Sequence, residues 1–407
     1  MFSTLDVDIR PGSGLGRFEI GIINSSPTDK QRRSSASITT GASLWMVLDM
    51  LRNLQHSFPQ VEVKFDPDAS STTPVIVHLR PHLDLLFSGK HQRLHTICLR
   101  KLRDPNPPVT LRYKDTVLSS VGDALTRVIV RRTFGPTYPG DDLRYPGLWF
   151  SFEEDGMGEG VKAGHSEDRT QEVKRVLISQ KGNDGKSQDA LEEVGEVPIM
   201  AGDVRQAVVK VHDGVTLYFY PSSSTPVHVR LGETTAQDLT LDLGPPLRVH
   251  YKDDERMSIH ATEGAPEPEN EPRYFYNYFQ HGIDFLISGP SHVVTKIILH
   301  SNVPGSPLFQ RYKRCNWEIE GKPEDDEDGN VLLLSCIIQT RVECLQDTPP
   351  RKRFYDRFET ISHFLSPREP PPSMHLDRTD EEEDITLPST ATRRKKFSLR
   401  CFYSARR

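Results

Sequence analysis

Two aspartates lie at matching places in two similar stretches of the chain. Asp84 is the second residue of Leu-Asp-Leu-Leu-Phe-Ser-Gly, and Asp284 is the second residue of Ile-Asp-Phe-Leu-Ile-Ser-Gly, 200 residues later. Two carboxylates within about 10 Å of each other across a cleft can act as the acid and the base of a hydrolase. Because matching positions of a repeat lie in different units, we expect instead that each aspartate bonds to backbone near its own hairpin turn. The hydrolase remains an alternative.

Other residues whose types could support catalysis or metal binding form no recognisable motif for either. Gly12, Gly14 and Gly16 are spaced like part of a phosphate-binding loop, but residues 17–22 after them alternate like a strand, whereas such a loop leads into a helix. The fifteen histidines form neither an H-E-x-x-H motif nor a Cys/His cluster, and the sequence has no G-x-S-x-G elbow. The sequence therefore predicts a flexible turn at the glycines, no metal, no cofactor, and a protein that is not an enzyme.

The charge balance and the distribution of apolar residues limit the class of protein. The 407 residues include 51 lysines and arginines and 57 aspartates and glutamates, which gives a formal net charge of −6. This mild acidity argues against nucleic acid as a partner, because nucleic-acid-binding proteins usually have a basic excess. Residues 1–17 lack the apolar core of a secretory signal, and no stretch approaches the roughly 20 apolar residues of a membrane-spanning helix. We therefore expect a cytoplasmic protein that is not secreted and has no transmembrane segment.

Helical and strand periodicities predict an α+β fold built from internal repeats. Apolar residues at helical spacing predict a helix over 43–54. Alternating apolar residues predict the four strands of an antiparallel β-meander, at 61–65, 75–79, 83–87 and 94–99. The pattern returns near 283–299 at a constant offset, which indicates an internal repeat. We therefore predict units of a helix plus a meander, stacked into one body, because one face of each sheet must be buried.

Composition divides the chain into five segments. We predict a first helix-plus-meander unit, a second unit with a long disordered insertion at 153–196, a third unit, a partial last unit and a disordered tail. The predicted bounds of these segments are 1–118, 119–200, 201–318, 319–365 and 366–407. The insertion is rich in glycine and charge, and the tail combines clustered prolines with runs of like charge. Such compositions do not bury enough apolar surface to fold.

The densest aromatic run of the chain is Tyr-Phe-Tyr-Asn-Tyr-Phe, at 274–279. On a strand, Tyr274, Tyr276 and Tyr278 share one face. Exposed tyrosines are typical of protein interfaces, so we take these three residues and Asn277 as candidates for a partner-binding surface. The alternative is that a helix and a neighbouring unit cover both faces of the strand.

The same region resembles a known family. The chain reads R-Y-F-Y-N-Y-F-Q-H-G-I-D-F-L-I at 273–287, K-I-I-L-H-S-N-V-P-G at 296–305 and F-G-P-T-Y-P-G at 134–140. These stretches are similar to motifs of the phagosome assembly factor 1 family, and the resemblance extends over roughly residues 16–365. The motif residues that we expect to be structural are Gly135, Pro136, Gly282, Asp284, Asn302, Pro304 and Gly305.

The resemblance implies a non-enzymatic regulator of autophagy. Members of this family act in complex with a WD-repeat β-propeller protein at the phagophore, the membrane site where the autophagosome forms. The resemblance therefore implies a propeller as the partner, and contact with phosphoinositide-containing membrane through that propeller. It assigns no lipid-binding residues to this chain. The alternative function is a small-ligand or lipid carrier with a pocket between repeat units, which a deep apolar cavity would favour.

Overall fold

The structure is a computed structural model, and it describes residues 4–21, 33–53, 61–66, 72–105, 108–138, 140–152, 171–180, 194–252, 272–321 and 351–365. The predicted tail and most of the predicted insertion lie outside these residues. The described residues form mostly antiparallel sheets with four α-helices, so the predicted α+β class is confirmed. We call the described residues up to 180 the first half, and those from 194 onward the second half.

A five-stranded sheet begins the first half. Its strands are β1 (Thr4–Arg10), β2 (Gly14–Gly21), β3 (Arg33–Thr39), β8 (Val109–Tyr113) and β9 (Thr116–Ser119), in the order β3-β2-β1-β8-β9. β1 and β8 run parallel, and the other neighbours are antiparallel. The glycine-rich stretch is the turn between β1 and β2, so the predicted turn is confirmed and no helix follows it.

Seven antiparallel strands build the second sheet of the first half. They are β4 (Val61–Lys64), β5 (Val75–Leu79), β6 (Leu83–Phe87), β7 (Leu94–Arg100), β10 (Leu143–Tyr145), β11 (Leu148–Ser151) and β12 (Arg175–Ser179), in the order β10-β11-β12-β7-β6-β5-β4. The predicted meander is β4 to β7, and the predicted helix before it is α1 (Leu44–Asn53). Alternate residues of β5 and β6 are buried, as a side-chain period of two requires. A second helix, α2 (Arg127–Phe134), precedes β10.

The second half contains two further sheets. The five-stranded sheet consists of β13 (Val204–Lys210), β14 (Gly214–Phe219), β15 (Val227–Arg230), β20 (Trp317–Glu320) and β21 (Arg351–Arg353), in the order β15-β14-β13-β20-β21. The four-stranded sheet consists of β16 (Arg248–Lys252), β17 (Arg273–Tyr278), β18 (Ile283–Ser288) and β19 (Val294–Leu299), in that order. The helices are α3 (Ala236–Leu243) and α4 (Phe358–Leu365). Thr235 and Asp238 form a capping box that starts α3.

The hairpins that contain Asp84 and Asp284 have the same register. Along β6 and β7 the paired residues are 83 with 99, 84 with 98, 85 with 97, 86 with 96 and 87 with 94. Along β18 and β19 every one of these numbers is larger by 200, including the shift after the fourth pair. The five-stranded sheets also agree, since in each the first strand pairs in parallel with the strand that follows the meander.

The sheets join segments that the sequence assigned to different units. β12 lies in the predicted second unit, yet it pairs along its whole length with β7 of the predicted first unit. The strands of the predicted second unit therefore extend the sheet of the first. The domain boundaries themselves stay a prediction.

Each half has its own hydrophobic core. Buried apolar residues between Leu5 and Ile178 form one cluster, and those between Ala207 and Ile361 form another. Among the described residues, no helix is both long enough and apolar enough to pass through a bilayer.

Gly282 provides a test of the turn between β17 and β18. Its φ is +71°, and a Cβ there would lie 2.1 Å from the carbonyl oxygen of Lys313. Gly232 has a similar φ of +76° but no atom within 4 Å of such a Cβ. We expect Gly232→Ala to lower the free energy of unfolding by about 1 kcal/mol, the cost of the left-handed backbone alone. Gly282→Ala should cost more than about 3 kcal/mol, because backbone must also move. Urea denaturation measures both, and equal losses would contradict the close approach.

Candidate partner-binding surface

The Asp84 carboxylate is bound by two side chains of its own sheet. Nδ1 of His78 donates to Asp84 Oδ1 across 2.6 Å, and Nη2 of Arg100 donates to the same oxygen across 3.0 Å. His78 lies opposite Asp84 on β5, and Arg100 is the last residue of β7. We predicted backbone partners near the hairpin. The structure shows side chains instead, because the neighbouring strands place a histidine and an arginine within reach.

The Asp284 carboxylate has a different pair of partners. Nε2 of His300 donates to Asp284 Oδ2 across 2.8 Å, and the hydroxyl of Tyr312 donates to it across 2.7 Å. The two rings stack with their centroids 3.6 Å apart. Burial, together with the charge of Asp284, raises the pKa of Tyr312, so this hydroxyl keeps its proton and donates.

The two carboxylates do not form a pair. Asp84 lies in the seven-stranded sheet and Asp284 in the four-stranded sheet, and each is engaged by neighbours of its own half. Their side chains are only 13% and 6% exposed. This arrangement does not support the hydrolase alternative, which needs both groups on one cleft. Among the described residues, no group of three or more histidine, cysteine or acidic side chains is placed to hold a metal ion.

The stretch between β19 and β20 contacts the first half. We call its residues, 301–316, the joint segment. The amide nitrogen of Asn302 donates to Gln92 Oε1 across 2.7 Å, and the amide nitrogen of Gln92 donates back to the Asn302 carbonyl across 3.0 Å. Both side chains are buried. The indole of Trp45, on α1, donates to the Arg311 carbonyl across 3.1 Å. Buried amides bonded in this reciprocal way fix how the two halves meet.

Arg314 of the joint segment is buried and meets backbone carbonyls from both halves. Nε donates to Ser301 and Nη2 to Asn302 in the second half, and Nη1 donates to Gly89 and Lys90 in the first half. Burial lowers the pKa of Arg314. Because carbonyl oxygens occupy donors on all three nitrogens, the charge is solvated by backbone dipoles.

A buried ionic cluster lies beside Arg314. The Asp203 carboxylate accepts from Arg93 of the first half across 2.5 Å, and it also pairs with Lys313 of the joint segment. Burial and the nearby Arg93 lower the pKa of Lys313 to about 8. Burial and the nearby Lys313 lower the pKa of His281 to about 4. One carboxylate therefore holds two cations of different halves together, and His281 stays neutral near pH 7.

Two of the predicted surface residues belong to the core. Tyr278 is 0% exposed, and its hydroxyl donates to the Gly244 carbonyl across 2.9 Å. Asn277 is buried on the opposite face of the sheet, where its amide lies near Tyr312. Neither side chain reaches a partner on the surface, so these two assignments are corrected. The reason is that the core of the second half and the joint segment cover the two faces of β17 at this end.

Tyr274 and Tyr276 are half-buried, and they continue into an exposed row that consists of two residues of β16 and the residue just before it. Val249 pairs with Tyr276, and Tyr251 pairs with Tyr274, whose ring lies 5.8 Å from that of Tyr251. The exposed fractions are 57% for Leu247, 41% for Val249 and 65% for Tyr251. Alternate residues share a face of a strand, so these side chains form one apolar strip. We call Leu247, Val249, Tyr251, Tyr274 and Tyr276 the edge patch.

The edge patch contains three residues that sequence reasoning missed. The alternation of Leu247, Val249 and Tyr251 with Arg248 and His250 was the available signal. It predicts a half-buried strand, but it does not reveal that β16 lies at the margin of the described sheet, with its apolar face partly uncovered.

A family model described as phagosome assembly factor 1 matches residues 34–388. The chain belongs to this family. A relative from Arabidopsis thaliana, named PHAF1 protein At3g51130, is 28% identical over 351 residues, which cover 81% of this chain and 79% of the relative. The Caenorhabditis elegans relative, PHAF1 protein T01G9.2, is 23% identical over 86% of this chain and 85% of its own length. The Drosophila melanogaster relative, PHAF1 protein CG7083, is 28% identical over 35% of this chain and 31% of its own length. No solved structure matches the chain.

Most residues that resemble the family motifs lie in the joint segment or pack against it. Gly282 packs under Lys313, Asp284 binds Tyr312, and Asn302 binds Gln92. Pro304 is buried, and Gly305 approaches Phe65 of the first half. Gly135 and Pro136 lie elsewhere: Gly135 ends α2 and accepts from Tyr145, and Pro136 is exposed. Their structural role stays a prediction.

The amide pair of Gln92 and Asn302 provides a test of the joint. We expect each alanine substitution to lower the free energy of unfolding by about 2 kcal/mol, because each leaves a buried polar group unpaired. A double-mutant cycle should give a coupling energy of about 1 to 2 kcal/mol. A control cycle of Asn302→Ala with Ser120→Ala should be additive, because Ser120 bonds to Asp123 instead. A coupling as small as that of the control would contradict the pairing.

The lowered pKa of His281 makes stability depend on pH. The unfolded chain takes up this proton near pH 6.5, and the folded chain only near pH 4. The contribution of neutral His281 to the free energy of unfolding is therefore fully present above pH 6.5. It is lost as the pH falls toward 4, which lowers the free energy of unfolding by about 3 kcal/mol. His281→Phe keeps a ring against Phe219 and Tyr278 and removes the titration.

The measurement is urea denaturation of the parent and the His281→Phe variant between pH 7 and pH 4. Other groups titrate equally in both proteins, so the difference between the two curves isolates His281. The parent should lose more stability on acidification than the variant, and parallel curves would contradict the assignment.

Proposed function

We propose that the chain is a non-enzymatic assembly factor of phagosome or autophagosome formation, and that its edge patch binds a WD-repeat β-propeller protein at the phagophore. The observation that carries the proposal is the row of exposed apolar and aromatic side chains formed by Leu247, just before β16, and by Val249 and Tyr251 on β16. Membership of the phagosome assembly factor 1 family supports the process. The separated, buried carboxylates support a role without catalysis.

The chemistry of the edge patch suits a protein partner. Tyr251 and Tyr274 present large rigid rings with a polar end, a combination enriched at the centre of protein interfaces. Arg248 and His250 alternate with the apolar residues along β16 and therefore lie on the opposite face of the strand, which leaves the face of the edge patch apolar. Exposed apolar strips on an edge strand otherwise invite aggregation, which a bound partner would prevent.

We also infer that the two halves are copies of one duplicated unit. The identical register of the two hairpins and the equal strand order of the two five-stranded sheets support this inference. Two copies account for these features. The sequence had predicted a further unit between them, at 119–200. In a duplicated scaffold the copies can diverge, so that one offers a binding edge while the other supplies support.

We propose that membrane contact is indirect. The propeller would supply phosphoinositide recognition, and this chain would be recruited to the phagophore by binding the propeller. Nothing in the edge patch is basic enough to prefer an anionic lipid surface, since its five members are apolar or aromatic.

The carrier alternative has weaker support. An apolar cavity lies between the two sheets of the second half, lined by residues that include Val209, Leu299 and Trp317. Its volume is about 30 Å³, whereas ligand pockets generally measure roughly 300 to 1,000 Å³. It also lies within one half, where a carrier was expected to place it between units.

The test is affinity purification of the tagged full chain from starved cells, with WD-repeat proteins quantified by mass spectrometry. The variant carries Leu247→Ser and Tyr251→Ser, and the control carries Tyr138→Ser, which removes a side chain that is 91% exposed in the first half. We expect a propeller protein to elute with the parent and the control. The variant should lose more than about tenfold of it, because interface anchors contribute on the order of 2 kcal/mol each.

Two outcomes would contradict the proposal in different ways. Equal recovery of the propeller by the variant and the control would move the interface away from the edge patch. Absence of any WD-repeat protein from the parent eluate would reject the partner class.

A further inference from the structure

The two meanders end differently at the strand opposite the edge patch. In the first half, β7 lies inside its sheet, because β12 pairs with it from residues 96 with 179 to residues 100 with 175. In the second half, β19 has the same register with its inner neighbour, but it is the outermost strand of the sheet as described. The position equivalent to β12 is not filled by any described strand.

The side chains on this margin differ in the same way. Ile97 and Leu99 of β7 are 0% exposed, since Ile178 and Val176 of β12 lie opposite them on the same face. Their counterparts Ile297 and Leu299 are only half-buried. These two residues line the apolar cavity of the second half, together with Val209, Val215, Trp317 and Ile319. The cavity therefore lies where side chains equivalent to Val176 and Ile178 would pack.

One segment of the chain starts and ends beside this cavity. Residues 322–350 connect β20 to β21, and Glu320 pairs directly with Arg351, so both ends of the segment lie together. Glu320 also pairs with Lys210, and Lys210, Val211 and His212 line the cavity. The segment has 29 residues. Extended chain covers about 3.3 Å per residue, so the first half of the segment can reach roughly 45 Å from its start, and the second half can cover the same distance back to β21.

The sequence of this segment has the pattern of a buried strand. Residues 331–338 read Val-Leu-Leu-Leu-Ser-Cys-Ile-Ile. With a period of two, Leu332, Leu334, Cys336 and Ile338 share one face, and every one of them is apolar. Eight residues of this composition exposed to water would be unfavourable and prone to aggregate, so they need an apolar surface to cover them.

We propose that residues 331–338 pair with β19 as a further strand and turn the side chains of the Leu332 face toward Ile297 and Leu299, over the cavity that these two residues line. The segment thereby closes the core of the second half as β12 closes that of the first. The proposal does not rest on the proposed function. It implies that the β19 margin is occupied from within the chain and that β16 is the margin left for a partner.

The test is hydrogen exchange of the full chain, measured by mass spectrometry on peptides from β19 and, as an internal control, from β7. One variant replaces residues 331–338 with eight glycines and serines. We expect the β19 amides to be protected in the parent and to exchange on the order of 100-fold faster in the variant, with β7 unchanged. A synthetic peptide of residues 331–338, added to the variant, should restore the protection.

A pair of point variants covers the case in which the replacement unfolds the chain. Leu334→Asp introduces a charge on the face assigned to the cavity, and Leu333→Asp introduces the same charge on the other face. Only Leu334→Asp should accelerate exchange of β19. The proposal is overturned if β19 exchanges freely in the parent, or if its protection survives the replacement, which would assign the margin to the tail, a second copy or another protein. Equal effects of the two point variants would also overturn it.

Discussion

The burial of Arg314 constrains much of the rest of the structure. Its guanidinium is enclosed and meets carbonyl oxygens of Gly89 and Lys90 in the first half and of Ser301 and Asn302 in the second. A buried charge without such partners would cost several kcal/mol, on the order of what holds a domain folded. The two halves therefore have to meet in one arrangement, in which turns distant in sequence present these carbonyls to one side chain.

The ionic cluster adds to this constraint. Asp203 binds one cation from each half, Arg93 and Lys313, so separating the halves would leave a charge unpaired. The reciprocal amides of Gln92 and Asn302 act in the same direction. The residues between 282 and 305 that resemble family motifs lie in the joint segment or pack against it, and so they shape the contact between the halves.

The two hairpins show how equal backbone can carry different chemistry. Asp84 and Asp284 occupy the same place in register, but one binds His78 and Arg100 and the other binds His300 and Tyr312. The tyrosine comes from the joint segment, which reaches over the second hairpin. The margins of the two meanders differ as well, because β12 covers β7. An apolar cavity adjoins β19, and an exposed apolar strip lies on β16 at the other margin.

Local sequence patterns were enough to predict the helix before the first meander, the strands of that meander, the glycine turn, and the likeness of the stretches around residues 84 and 284. These follow from periodicity and turn chemistry, which act between near neighbours. Packing in three dimensions decided that Tyr278 is in the core while Tyr251 is exposed, since a tyrosine on an alternating strand is compatible with both positions. It also decided that β12 joins the sheet of β7 and that Arg314 lies between the halves. Such choices depend on which distant surfaces meet, and spacing along the chain carries no information about that.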